Sequence, residues 1–446
     1  MLAAAICSLG GMTFGYDLGA LSGATQGLAR TYSLSPALFG LSVSASLWGA
    51  VCASPIAGRM AGKLGRRGLL AACALLYTCA AATLALRAHW PWDVVLVLRF
   101  LSGAAVAGFV VVCPLYLAEI SPRIWRGRFV GLFQIQIGVG VVVAFAVSAI
   151  LARALPETSE WRWCFGLGAV PTVILLAVLR WVPEEPHWLG AQGRREAAEK
   201  SVSLLGLSAD EWPRRDRPSA SSPEMPSLPD RALPDPVLPD RLFSRKYLYP
   251  LLLATSVALF NQLCGVTILR VYLLDLLSGA GMGRELSHSY GFLIACLNVL
   301  ALLLGMLVVD KLGRKPLLIA GSAGMSLCLM AFTFALRHHA ASVRYLVILV
   351  AYNTFFASSQ GAVAWVYISE IFPFAVRGKG QAYGALVHWI ANAGLLWIYP
   401  VLEHVAPQAN FLVFAAMMIL QILVVVLWYP ETRGTRLGAV FQVAES

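Results

Sequence analysis

The sequence predicts an all-α membrane protein in which twelve transmembrane helices form two pseudo-symmetric six-helix bundles. Three observations predict it. Apolar stretches of about 20 residues, the length that crosses a bilayer core, recur along the chain. One long polar interval, 183–246, divides them into two sets. Short motifs of the first set return at matching places in the second, the mark of a parallel repeat. Composition agrees, since 59% of the 446 residues are hydrophobic and 13% charged. An ordinary soluble domain carries about 25% charged residues, so a set of small soluble domains is excluded.

The first six spans are expected at 2–26, 37–57, 69–87, 93–118, 128–152 and 163–182, giving a bundle over 1–182. The N-terminus lacks the basic flank and small-residue cleavage site of a signal peptide, and Asp17 interrupts its apolar run. It reads as a retained first span beginning almost at Met1.

The connector, 183–246, opens with "GRREAAEKSVSLLG", a charged helical stretch. "RRDRPSASSPEMPSLPDRALPDPVLPD" follows, rich in Pro, Ser and Asp and too poor in apolar residues to build a core, so disorder is expected there.

The second six spans are expected at 247–276, 288–309, 316–336, 344–370, 380–403 and 410–429, giving a bundle over 247–429 and a tail over 430–446. "GRMAGKLGRRGLL" after span two answers "LVVDKLGRKPLLIAG" after span eight. "YLAEISPRIWRGR" answers "YISEIFPFAVRGK", and "PEEPHW" answers "PETRGTRL".

Orientation follows from Lys and Arg in short loops. One side holds Arg59, Lys63, Arg66, Arg67, Arg123, Arg126, Arg128, Lys311, Arg314, Lys315, Arg377 and Lys379. The other is sparser, with Arg30, Arg87, Arg153, Arg162, Arg284, Arg337 and Arg344. Both termini and the connector are therefore expected in the cytoplasm, at a plasma or bacterial inner membrane.

Within each E-x6-R-G unit a proline separates Glu from Arg: Pro122 between Glu119 and Arg126, Pro373 between Glu370 and Arg377. The proline breaks the helix, so Glu is expected at a helix end and Arg in the next loop. Glu119, Arg126, Glu370 and Arg377 are then placed to pair with the basic clusters of Arg66 and Arg314. With Glu184 and Glu431 of the PEEP and PETR elements, they would form a cytoplasmic gating network that latches the bundles in one state. The plainer reading is that the arginines only satisfy the positive-inside bias.

Asp17 poses the sharpest chemical question, because an unpaired carboxylate at membrane depth is costly. Span one rises from the cytoplasm, placing Asp17 about 22 Å up a core about 30 Å thick. Span four descends, placing Arg99 of "VLVLRFLSG" about 9 Å below the outer surface. The two depths agree, so Arg99 is the expected partner.

The chain resembles the sugar porter family of the major facilitator superfamily over nearly its whole length. "FGYDLGALSG", "GKLGRRG", "RFLSG", "PLYLAEISPRIWRGR", "PEEPHW", "NQLCGVT", "DKLGRKP", "AWVYISEIFPFAVRGKG" and "PETRGT" carry the resemblance. It implies the major facilitator fold and a midplane pocket for a sugar or polyol. The matching positions are Gln134, Asn261, Gln262, Thr267, Asn298, Gly361, Trp365, His388, Trp389 and Asn392, with Phe356 a possible lining residue. Amides bond sugar hydroxyls and indoles stack on sugar C–H faces, although a lone Asn or Gln in a span more often joins helices. Departures from the family pattern at Asn261, Thr267, Val271, Ala362, His388 and Gly62 leave the sugar open. Arg270 is the odd residue: it either snorkels near the outer surface or flanks the pocket and favours a sugar acid.

The resemblance also implies that Asp17 holds the place of the titratable carboxylate of proton-coupled members, where facilitators commonly carry Asn. A proton–sugar symporter, with Asp17 and Arg99 as the coupling pair, is the leading expectation. A facilitator of the same fold and a sugar-sensing receptor on a transporter scaffold remain open. An enzyme is not expected, since no Ser-His-Asp cluster, metal spacing or phosphate-binding loop is present. Nine cysteines without a CxxC pair read as small buried hydrophobes, not as metal ligands. No cofactor, metal or nucleic acid is expected, and a monomer should suffice; the lipid bilayer, the sugar and protons are the partners.

Overall fold

The computed structural model describes residues 2–86, 89–121, 126–205, 242–279, 281–338, 342–373, 376–406 and 409–432, except the side chains of 2, 4, 126–130, 306–311 and 342. In lipid every backbone polar group must find its partner within the segment, and helices achieve this residue by residue. The described residues form no strand. The helices of the first half are α1 (Leu2–Tyr32), α2 (Pro36–Leu86), α3 (Trp92–Glu119), α4 (Arg126–Ala154), α5 (Glu157–Gly166) and α6 (Ala169–Val178). The connector contributes α7 (Pro186–Ala191) and α8 (Arg195–Leu205). The second half contains α9 (Leu248–Leu263), α10 (Val266–Val271), α11 (Leu273–Gly279), α12 (Arg284–Leu312), α13 (Arg314–Arg337), α14 (Ser342–Ser358), α15 (Gln360–Ile371), α16 (Arg377–Val405) and α17 (Ala409–Trp428).

Ten described helical segments are long and apolar enough to cross a membrane, and α2 is one of them at 51 residues. It crosses twice, turning at Gly65 (φ 76, ψ 170). Counting α2 twice and adding the 31-residue α1 gives the twelve crossings of the fold. The proline- and serine-rich stretch of the connector, over 206–241, and residues 433–446 of the tail lie outside the described residues.

Gly65 and Gly313 (φ 90) explain why the two basic motifs share a glycine. Positive φ is open to glycine at little cost. A Cβ at Gly65 would meet Glu184 Oε2 at 2.6 Å, and one at Gly313 would meet Glu431 Oε2 at 3.0 Å. Each carboxylate receives the first free backbone N–H groups of the following helix. Arg66 and Arg67 donate to Glu184 Oε1 at 2.9 and 3.1 Å. Arg314 and Lys315 donate to Glu431 at 3.0 and 2.9 Å. An acidic group at a helix N-terminus satisfies orphan donors and the helix dipole together. The PEEP and PETR elements thus serve as remote caps, one in each half.

The buried side chains form three clusters. One joins the halves, with Tyr16, Leu47, Phe145 and Trp161 packing among Leu269, Tyr272, Tyr399 and Phe411. A second belongs to the first half, around Tyr77, Phe109 and Tyr116. The third belongs to the second half, around Tyr247, Tyr367 and Phe372. The halves meet through α2 and α16, where a Cβ on Gly40 would lie 2.0 Å from the Trp397 carbonyl oxygen. Trp397 also donates to Ala37 O at 3.2 Å and packs edge-on to Trp48. All these α2 contacts lie toward its N-terminal end, ahead of the turn at Gly65 that carries the basic motif.

Candidate functional site

Asp17 and Arg99 are 4% and 2% exposed, so neither charge is left to solvent. Arg99 Nη1 donates to Asp17 Oδ1 at 2.6 Å, and Nη2 reaches Oδ2 at 3.3 Å. The planar fork of a guanidinium fits a carboxylate in this two-point manner. Tyr77 donates its hydroxyl to Asp17 Oδ1 at 3.1 Å, and Arg99 Nη2 also donates to Ser46 Oγ at 2.9 Å. The Phe165 ring lies 4.2 Å from the guanidinium carbon. Four helices of the first half, α1, α2, α3 and α5, therefore converge on one charge pair. Sequence reading missed Tyr77, Ser46 and Phe165, since nothing local marks a tyrosine, serine or phenylalanine as facing a partner dozens of residues away.

A polar cluster lies across the break between α9 and α10. Gly265 sits at φ 85, and a Cβ there would lie 2.5 Å from the Phe414 ring. The break places Thr267 over the end of α9, where its hydroxyl donates to Gln262 Oε1 at 2.9 Å. Gln262 Nε2 donates to Asn261 Oδ1 at 3.1 Å and lies 3.2 Å from the His388 ring nitrogens. Asn261 in turn donates to Gln360 O at 3.3 Å. Trp365 stands 4.9 Å from the His388 ring, centre to centre, and is 39% exposed. Trp389 is buried against Phe14 of α1, with ring centres 5.5 Å apart. Asn261, Gln262, Thr267, Trp365, His388 and Trp389 thus come together from α9, α10, α15 and α16.

The other candidates stand differently. Asn298 donates to Asn353 Oδ1 at 3.2 Å, a bond between α12 and α14 that ties helices together. Gln134 is half-buried on α4, with no hydrogen bond among the described residues. Asn392 is buried one turn beyond His388, and its Oδ1 has no partner. Phe356 is buried, and Gly361 lies beyond the break at Ser359, where an added Cβ would come 3.4 Å from the Phe356 ring. Arg270 is half-buried on α10, where the other five residues are buried.

At the basic end, Arg66 holds Glu119 through two bonds, Nε at 2.9 Å and Nη2 at 2.6 Å. Arg314 Nη2 donates to Glu370 at 2.9 Å, the same pairing in the second half. Thr432 also donates to Glu370. Both ion pairs join elements of a single half. Arg377 is the first residue of α16 and Arg126 the first of α4, so neither sits in a loop as the sequence reading had it. The preceding helices end at Glu119 and Ile371, ahead of each proline in the sequence, and the next begin at Arg126 and Arg377. The Arg126 side chain lies outside the described residues.

One cluster escaped sequence reading altogether. Glu160 of α5, 3% exposed, accepts from Arg284 Nη2 of α12 and from Ser148, and lies 3.1 Å from His288 Nε2. Arg284 also donates to Leu155 O at 3.1 Å. This is a charged bridge between the halves, away from the basic end.

Comparison with known proteins supplies the family. The family model described as "Sugar (and other) transporter" matches residues 3–443. A putative metabolite transport protein of Bacillus subtilis is 32% identical over 440 residues, covering 98% of this chain and 93% of the relative. The glucose transporter GlcP of Staphylococcus epidermidis is 31% identical, with 96% and 94% covered. The D-xylose-proton symporter of Escherichia coli is 25% identical, with 97% and 93% covered. Among solved structures, an inward-open conformation of the xylose transporter XylE from E. coli aligns with a TM-score of 0.81 at 24% identity, over 98% of both chains.

Proposed function

This chain belongs to the sugar transporter family, the sugar porters of the major facilitator superfamily, and on that premise we propose that it moves sugar and proton together by alternating access. It is a multi-pass integral membrane protein and a carrier, not an enzyme. The observation that carries the coupling is the buried Asp17–Arg99 pair, closed by two bonds and enclosed by Tyr77, Ser46 and Phe165. A buried pair that loses one charge leaves the other uncompensated, at a cost of about 3–5 kcal/mol. Protonation of Asp17 therefore frees Arg99 and loosens the four helices that meet there, which lowers the barrier to rearrangement of the first bundle.

The sugar, in this reading, sits between the two bundles, over 1–182 and 247–429. Gln262 and Thr267, with Asn261, His388 and Asn392, meet its hydroxyls, and Trp365 and Trp389 meet its apolar face. Gln134 and Asn298 complete the pocket as the bundles close on it. A relative named as a glucose transporter and another named as a xylose–proton symporter support this substrate class.

The basic end faces the cytoplasm by the positive-inside bias, with both termini and the connector on that side. The Arg66–Glu119 and Arg314–Glu370 pairs, with Glu184, Glu431, Arg126 and Arg377, form the inner gate in this reading.

Sugar-dependent proton uptake by proteoliposomes tests the reading. Adding D-xylose or D-glucose to one side should acidify the other, followed with a pH-sensitive dye. Sugar flux without any proton movement would leave a facilitator in its place.

A further inference from the structure

Arg270 is a cation in a membrane span with neither an ion pair nor a hydrogen bond among the described residues. Arg99, the arginine buried within α3, has its partner in Asp17. Charged residues within membrane spans mostly face the bundle interior, a water-filled path or a partner, and the half-buried Arg270 has no partner among the described residues to face. Its polar neighbours are already engaged. The Tyr352 hydroxyl, within electrostatic reach, is donated to Cys264 O at 2.8 Å. Asp275, the nearest carboxylate along the chain, lies beyond the break at Tyr272 and interacts with Thr25 and Gln26 of α1.

The position of Arg270 fits a ligand path better than snorkelling. The helix α10 packs against α1 of the other half and against α16. Residues three apart on a helix share a face, so Arg270 stands one turn beyond Thr267, whose hydroxyl is bonded to the pocket amide Gln262. Asn392, on the α16 wall, presents a buried Oδ1 that lacks a donor. An unmatched cation thus borders a cluster of amides and hydroxyls suited to a polyol.

We infer that Arg270 anchors the carboxylate of an anionic, polyhydroxylated substrate of the sugar-acid class, whose hydroxyls meet the Gln262–Thr267 cluster. The inference rests on the proposed transport site and names the substrate class for it. The guanidinium fork matches a planar carboxylate at two points, and the substrate supplies the charge that the protein does not.

Direct binding to the purified full-length protein in detergent tests it, with D-gluconate, D-glucose and glucose 6-phosphate as probes. The wild-type protein should bind D-gluconate at least about tenfold more tightly than D-glucose, a step of one decade in Kd. In Arg270→Gln that preference should disappear, and Arg270→Lys should recover part of it. Equal affinities for gluconate and glucose in the wild-type protein would overturn the inference, as would an unchanged preference in a monodisperse Arg270→Gln. Tighter binding of glucose 6-phosphate than of gluconate would overturn the carboxylate assignment. Liposome flux is scored separately: gluconate binding without any flux would remove the transport reading and leave the Arg270 site standing.

Discussion

Tyr77 and Arg99 share one oxygen of Asp17: the phenol donates to Oδ1 at 3.1 Å and the guanidinium at 2.6 Å. The carboxylate is therefore held from α2 and α3 at once, and its loss would be felt in both. Removing only the cation should be worse than removing both charges. Arg99→Leu is expected to cost about 3–5 kcal/mol, the cost of breaking a buried pair. The double variant Asp17→Asn with Arg99→Gln should recover much of that loss. Thermal unfolding of the purified proteins in one detergent measures both, and equal losses in the two variants would show that the pair contributes no charge compensation.

The break between α9 and α10 makes a backbone prediction. Gly265→Ala forces a Cβ to φ 85 and to 2.5 Å from the Phe414 ring. About 1–3 kcal/mol of strain is expected, seen as a lower unfolding temperature. Sugar binding should fall as well, since the break sets Thr267 over Gln262. An unchanged unfolding temperature would mean that the segment relaxes freely.

Gln262 is bonded to Asn261 and Thr267 and lies against His388, so its amide organises the cluster. Gln262→Ala should weaken binding of the transported sugar by about tenfold, the cost of stranding buried polar groups. Gln421→Ala, which removes a buried amide bonded to Ser322 and Gln360, should lower stability without that change in affinity. Scintillation binding assays beside unfolding curves separate the two effects.

The bridge from Glu160 to Arg284 and His288 holds the halves together away from the basic end. Glu160→Gln should weaken that closure. Fluorophores at Arg153 and Glu285, both exposed, should then report more of the longer separation in single-molecule energy transfer. An unchanged distribution would assign the bridge to stability alone.

Much of this molecule could be read along the chain, because depth in a membrane is counted by helical rise. The spans, the repeated basic motifs and the common level of Asp17 and Arg99 all follow from position in sequence. Which way a side chain points around its helix does not. Tyr77, Ser46 and Phe165 carry no local mark of their direction, and Glu160, Arg284 and His288 meet only because the halves touch. The fragmentation of span seven is only hinted at by Gly265, whose neighbours are ordinary helix formers. Arg377 and Arg126 open helices instead of lying in loops, because the chain after each proline re-enters a helix within a few residues.

The coupling claim is tested most directly by sugar accumulation in proteoliposomes under an imposed proton gradient. Wild-type protein should concentrate the sugar above equilibrium and lose that ability with an uncoupler. Asp17→Asn should show no accumulation while still exchanging labelled for unlabelled sugar across the membrane. Gradient-driven accumulation that survives in Asp17→Asn would contradict the account.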